Sequence, residues 1–197
     1  MTARAGIFAL VALAVLVTAC ESTKKIKQDI KEDATKRTIE RTRVHSAADI
    51  KAAYDKEGTD ADETLLLFFN ALLLIEEDKT AGYAAAAYLS RKNDQWSDPE
   101  GPTGVKPSQA ASEGMGRIRD NPERARSYTG GKPTDYKMAN AEAIVIEIKE
   151  TRENSSTELK YFVWSSGKDN ASPITLRSNG GKWYVDEWSS IQTGVRK

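Results

Sequence analysis

The chain has one cysteine, Cys20, and one histidine, His45, among 197 residues. A lone cysteine excludes an internal disulfide, and a lone histidine excludes the multi-histidine sets that hold catalytic zinc or iron. Neither sign of charge prevails, with 29 Lys and Arg against 29 Asp and Glu, so the chain has no global pull towards nucleic acid or anionic lipid. Its longest apolar stretches, 5–17 and Leu65–Ile75, fall short of the roughly 20 residues that cross about 30 Å of hydrocarbon. No Ser/His/Asp constellation, complete phosphate loop or repeat occurs.

The first twenty residues are the most specific signal. Arg4 and the amino terminus give a basic start, residues 5–17 are almost all apolar, and Val17-Thr18-Ala19-Cys20 closes the segment. This order is that of a bacterial lipoprotein signal: cleavage before Cys20 and acylation of its thiol and amine. Lipidation at Cys20 would consume the only thiol, leaving no cysteine nucleophile or metal ligand. The expected organisation is a signal peptide at 1–19, a polar tether at 20–45 and one domain at 46–197. Removing the signal takes Arg4 and leaves 28 basic side chains against 29 acidic. Residue 21 is Glu rather than Asp, which by resemblance to lipoproteins of two-membrane bacteria implies the outer membrane, facing the periplasm. The expected partners are the membrane, through the lipid, and an envelope protein; nucleic acid, cofactor and metal are not expected.

Residues 21–45 contain eight Lys or Arg and five Asp or Glu. Ile26, Ile30, Ile39 and Val44 are too irregular for a heptad. A solvated, partly helical tether is the expectation, with a coiled coil or a lipid-touching basic strip as alternatives; fully helical, it would span roughly 37 Å.

Ser46 can cap a helix through Tyr54 that ends near Gly58. Asp60 with Glu63 resembles a capping box and opens the strongest helix, whose stretch Leu65–Ile75 has Asn70 as its only polar residue. Such a helix is apolar nearly all round and should be buried. Asp78 or Thr80 caps a further helix through Leu89. Residues 91–107, rich in Pro, Gly, Asn and Asp, read as a long loop containing Trp96. Ser108 opens a weak helix to Arg119, and Asn121-Pro122 a short turn to Tyr128. From 140 the period becomes two: 144–149, 159–164, 174–177 and 182–188 read as strands, with Asn179-Gly180 marking a tight hairpin. The fold class is α+β, with N-terminal helices on one face of a three- to four-stranded antiparallel C-terminal sheet.

The run Ser172–Arg196 resembles the end of an uncharacterised bacterial family of secreted or lipid-anchored proteins, a domain of unknown function. The resemblance extends more weakly to 61–89, to Arg126-Ser127-Tyr128 and to Lys132-Pro133. Gly181-Lys182-Trp183-Tyr184-Val185-Asp186-Glu187 is similar to the last strands of nuclear-transport-factor-2-like and cystatin-like domains. That resemblance implies a curved sheet wrapped around a helix, a layout that hosts enzymes and binding modules alike.

Candidate chemistry is sparse. His45 has no evident partner. Asp60, Asp62 and Glu63 lack calcium-loop spacing and suit helix capping. Ser166-Gly167-Lys168 lacks the upstream glycine of a phosphate loop and reads as a turn. Asp135, Asp186 and Glu187 are the carboxylates an enzyme would have to use, with Glu187 raised in pKa if buried beside Trp183. The preferred functional surface is aromatic. Strand alternation puts Phe162 and Trp164 opposite Tyr161 and Val163, and Tyr184 and Trp188 opposite Trp183 and Val185. Phe162, Trp164, Tyr184 and Trp188 therefore form the candidate binding surface, unless segment 91–131 covers them. The expected role is a non-catalytic binding or scaffold module; the alternative is a binder of a small molecule or lipid in a cone-like apolar pocket.

Overall fold

The computed structural model describes residues 36–196. Cys20, the 1–19 signal and residues 20–35 of the expected tether lie outside them. A strand, β1 (Arg37–Thr42), comes first, followed by α1 (Ala47–Glu57), α2 (Ala61–Glu77) and α3 (Lys79–Tyr88). A small ribbon, β2 (Gln95–Ser97) with β3 (Val105–Pro107), leads into α4 (Gln109–Arg119) and α5 (Glu123–Arg126). Four strands complete the chain: β4 (Ala143–Ser155), β5 (Glu158–Val163), β6 (Ser172–Asn179) and β7 (Lys182–Glu187).

The main sheet is antiparallel in the order β1-β4-β5-β6-β7. The α+β class holds, with five strands where three or four were expected. The added strand comes from the expected tether. Residues 37–45 belong to the fold: Ile39 pairs with Ile146 and Arg41 with Ile144. The sequence hid this strand because its inward face carries arginines. Arg37 grips Asp62 with two nitrogens, at 3.1 and 2.6 Å, and Tyr161 donates to the same carboxylate at 2.8 Å. Arg41 reaches Glu63 at 2.7 Å, and Arg43, nearly buried, reaches Glu77 at 2.9 Å. The acidic first turn of α2 is thus met by two arginines of β1, and Asp60 accepts from the backbone amides of Asp62 and Glu63 as the cap. Charge-assisted, bidentate contacts of this kind are geometrically selective.

α2 is the axis of the core. Leu65 through Ile75 are each at most 3% exposed. A helix apolar all round needs neighbours on every side, and α2 has them: β1, β4 and β7 on one side, α1, α3, α4 and α5 around the rest. α2 forms the layer against the sheet, and the other four helices gather around α2. The inner sheet face supplies Ile144, Ile146, Ile148, Tyr161, Val163, Ile174, Leu176 and Val185. Burying each large apolar side chain contributes about 1.5–3 kcal/mol, so this helix and its cradle dominate the stability. Asp78 alone joins α2 to α3, ending one and capping the other through Ala81 N. The close approach requires Gly82, since a Cβ there would sit 2.4 Å from the backbone nitrogen of Ile75.

Segment 91–107 is more ordered than the expected loop. A 3-10 turn at Lys92–Asp94 and the β2–β3 ribbon bring it onto α3. The hairpin after β6 turns at Gly180-Gly181, one residue later than Asn179-Gly180, because both glycines take positive φ of 62° and 82°. That left-handed pair suits a two-residue hairpin loop.

Asn70, the polar interruption of α2, is fully buried. It accepts from Val44 N at 2.9 Å and donates to Val44 O at 2.7 Å, locking the turn between β1 and α1. Asn70→Leu strands both backbone groups and should cost about 2–4 kcal/mol. Urea unfolding should show a lower midpoint at unchanged slope; an unchanged midpoint would refute this role for Asn70.

Candidate functional site

The four aromatic residues expected to share a surface separate into three environments. Phe162 and Trp164 stand on the outer face of β5 and just beyond it, where no described helix packs. Trp164 N bonds Glu147 O at 2.8 Å, and Phe162 pairs with Pro173 across β6. Val145, 36% exposed, lies diagonally next to Trp164. The rings are roofed by cations: Lys149 lies 4.8 Å from the Trp164 centroid and Arg152 4.5 Å from that of Phe162. Both cations also pair along the strand, with Glu147 and Glu150. Segment 91–131, expected as the cover for a second aromatic face, packs instead around α2 and α3.

Trp188 is not on that face. β7 ends at Glu187, the chain turns into a 3-10 turn at Ser189–Gln192, and Trp188 swings into the core. It is 6% exposed and meets Phe68 edge-on at 5.2 Å. Alternation fails there because the strand has stopped.

Tyr184 lines a cleft of about 690 Å3 at the β7 edge. Its walls come from the end of α1 (Tyr54, Asp55), the end of α3 (Tyr88), the following segment (Arg91, Asn93) and β6–β7 (Arg177, Asn179, Asp186). The edge is closed beneath it: Val185 N bonds Leu89 O at 2.8 Å, Arg91 N bonds Val185 O at 3.0 Å, and Trp183 N bonds Gly58 O at 2.7 Å. Arg177 is held by Glu158 at 2.9 Å and Asp186 at 3.1 Å, and Arg91 by Asp94 at 3.0 Å. Asp55 accepts from Tyr88 at 2.7 Å. Burial pushes the Tyr54 hydroxyl up to about 12, so it stays a donor, bonded to Trp183 O.

The densest polar cluster escaped the sequence reading. Lys168, read as part of a turn, donates to Ser190 O and Thr193 Oγ1, both at 2.6 Å, and to Ser172 Oγ at 3.2 Å. Ser172 Oγ lies 2.6 Å from the Tyr128 hydroxyl, and Ser165 donates to Ser127 at 2.8 Å. A serine beside a lysine resembles a nucleophile and its base. Here all three ammonium hydrogens are committed, and Ser172 is 4% exposed. The cluster is a knot joining β6, α5 and the C-terminal turn. Its signal in sequence was four small hydroxyl residues, Ser127, Ser165, Ser172 and Thr193, scattered among element ends and indistinguishable from loop chemistry.

The carboxylates are also committed. Glu187 is held below the usual range by hydrogen bonding from Ser189, contrary to the raised value expected for burial beside Trp183. Asp135 is exposed and lowered by the Lys137 backbone amide, while Asp186 pairs with Arg177. His45 remains on the surface, raised by its hydrogen bond to Glu142 at 3.0 Å.

Residues 44–197 match a sequence family described as a domain of unknown function, DUF6935. The chain belongs to the DUF6935 family. This agrees with the uncharacterised-family resemblance carried by Ser172–Arg196. No curated protein and no solved structure matches. The family match begins at Val44, so β1 lies just outside it although it completes the sheet.

Burial and nearby Arg124 push Lys168 down to about 8. Unfolded, the same lysine titrates near 10.4. Between those values the unfolded chain binds more protons, so stability should rise with pH from about 8 towards 10. Above 10 it should fall, because Tyr54 and Tyr128, both pushed up to about 12 by burial, keep protons that the unfolded chain releases. Lys168→Met should remove the rise and leave the fall. Thermal melting across this range checks both limbs.

Proposed function

We propose that this protein is a lipid-anchored component of the bacterial envelope whose domain holds a partner protein and catalyses no reaction. The observation that carries the reading is the outer sheet face, where half-buried Phe162 and Trp164 stand opposite buried Tyr161 and Val163, and Val145, diagonal to Trp164, is 36% exposed. Sheets with one solvated face normally alternate apolar and polar residues; apolar residues on that face mark association surfaces. The cations above the rings, paired with Glu147 and Glu150, keep the free face soluble and give it a rim of mixed charge around an apolar centre. Anchoring rests on Val17-Thr18-Ala19-Cys20, and placement at the periplasmic face of the outer membrane rests on Glu21. The cone-like apolar pocket has less support, since the space inside the curved sheet is filled by Leu65–Ile75 of α2.

Two measurements test this. Palmitate labelling in intact cells should mark the wild type and not Cys20→Ser, which should leave the membrane fraction. A photo-crosslinking side chain at Val145 should give one discrete adduct, reduced several-fold by Phe162→Ala with Trp164→Ala at unchanged melting temperature. Failure of labelling would remove the anchor; a folded protein giving no adduct would remove the docking face.

A further inference from the structure

We propose that the cleft beside β7 is a second, independent site that binds a neutral saccharide. At about 690 Å3 it falls within the range of pockets that take small ligands. Its lining mixes donors and acceptors, as a hydroxyl-rich ligand requires. The guanidinium groups of Arg91 and Arg177 are already set by Asp94, Glu158 and Asp186. Fixed in this way, they lose little freedom when a ligand arrives. Of the four cations lining the cleft, Arg91, Arg177 and Lys182 are paired with carboxylates and Lys92 contacts the Gln95 amide, so a simple anion finds only one cation whose charge is not already met among the described residues. Asp55 and Asp186 retain lone pairs for hydroxyl donors.

Three groups are left for a ligand. The Tyr184 hydroxyl and the side-chain amides of Asn93 and Asn179 make no hydrogen bond among the described residues, and all line the cleft. Amides that donate and accept at once suit paired hydroxyls on adjacent sugar carbons. The rings of Tyr54 and Tyr88 are each covered by a lysine, Lys182 at 5.4 Å and Lys51 at 4.8 Å. Tyr184 has no such cover and supplies the stacking platform. Sites built to hydrogen-bond hydroxyls discriminate strongly against ligands that lack them, so a saccharide is favoured over an apolar molecule of equal size.

The full chain, held in a detergent without a sugar headgroup, should be titrated calorimetrically with chitotriose, maltotriose and inorganic phosphate. At least one oligosaccharide should bind with saturable heat, and phosphate should not. Asn93→Ala, at an exposed residue without a side-chain partner among the described residues, and Tyr184→Ala should each weaken binding about tenfold, which corresponds to ~1.4 kcal/mol, without shifting the melting temperature. Phe162→Ala should leave saccharide binding unchanged, separating this site from the docking face. Tight phosphate binding without saccharide binding, no heat with either oligosaccharide, or binding insensitive to Asn93→Ala would overturn the assignment.

Discussion

The structure depends on one constraint: α2 is apolar on every side and has no face to show to water. A one-sided amphipathic helix could rest on a sheet and stop there. A helix with Leu, Phe and Ile around its whole circumference obliges the chain to build a complete jacket, and the curved sheet and the four other helices serve as that jacket. The polar exceptions confirm the logic. Asn70 is admitted because its amide satisfies the backbone of Val44, and Thr64 because its hydroxyl returns to Asp60 O. Both buried polar side chains of α2 are answered, as low-dielectric surroundings require.

Much of this was legible before any coordinates. Ser46, Asp60, Asp78 and Ser108 act as helix caps because their side chains sit where local geometry, not distant packing, decides the outcome. The alternation of Ile144, Ile146 and Ile148 was equally plain. β1 was not, because two of its three inward residues, Arg37 and Arg41, are arginines whose partners lie in α2, which leaves Ile39 alone to signal an apolar face. Trp188 misled for the opposite reason: parity was extrapolated one residue past the end of a strand. The candidate site divided in the same way. Phe162 and Trp164 followed from alternation, whereas the cleft around Tyr184 and the knot around Lys168 join segments far apart in sequence, and such convergence has no local signature.

The two edges of the sheet are managed differently. On the β7 side the unpaired backbone groups are taken up by Leu89, Arg91 and Gly58, so the edge is closed and the cleft stands above it. On the β1 side charged and hydroxyl residues, Thr38, Glu40 and Thr42, project outwards and discourage pairing with another chain. The open outer face lies between these edges. The chain therefore confines what it offers to a neighbour to a patch of side chains and withholds its backbone.

Arg37 has a mechanical consequence. With β1 in the fold, only residues 21–36 separate the acylated cysteine of the lipid-anchored reading from the domain. That leash reaches at most roughly 55 Å when fully extended. The residue that follows it, Arg37, is held by two nitrogens onto Asp62. Arg37 is at once the first rung of the β1–β4 ladder, opposite Ile148, and the residue whose guanidinium holds Asp62 of α2. The edge strand is therefore fastened at its first residue in two directions, through its backbone to β4 and through its side chain to α2, so the end where peeling would begin is the end held twice.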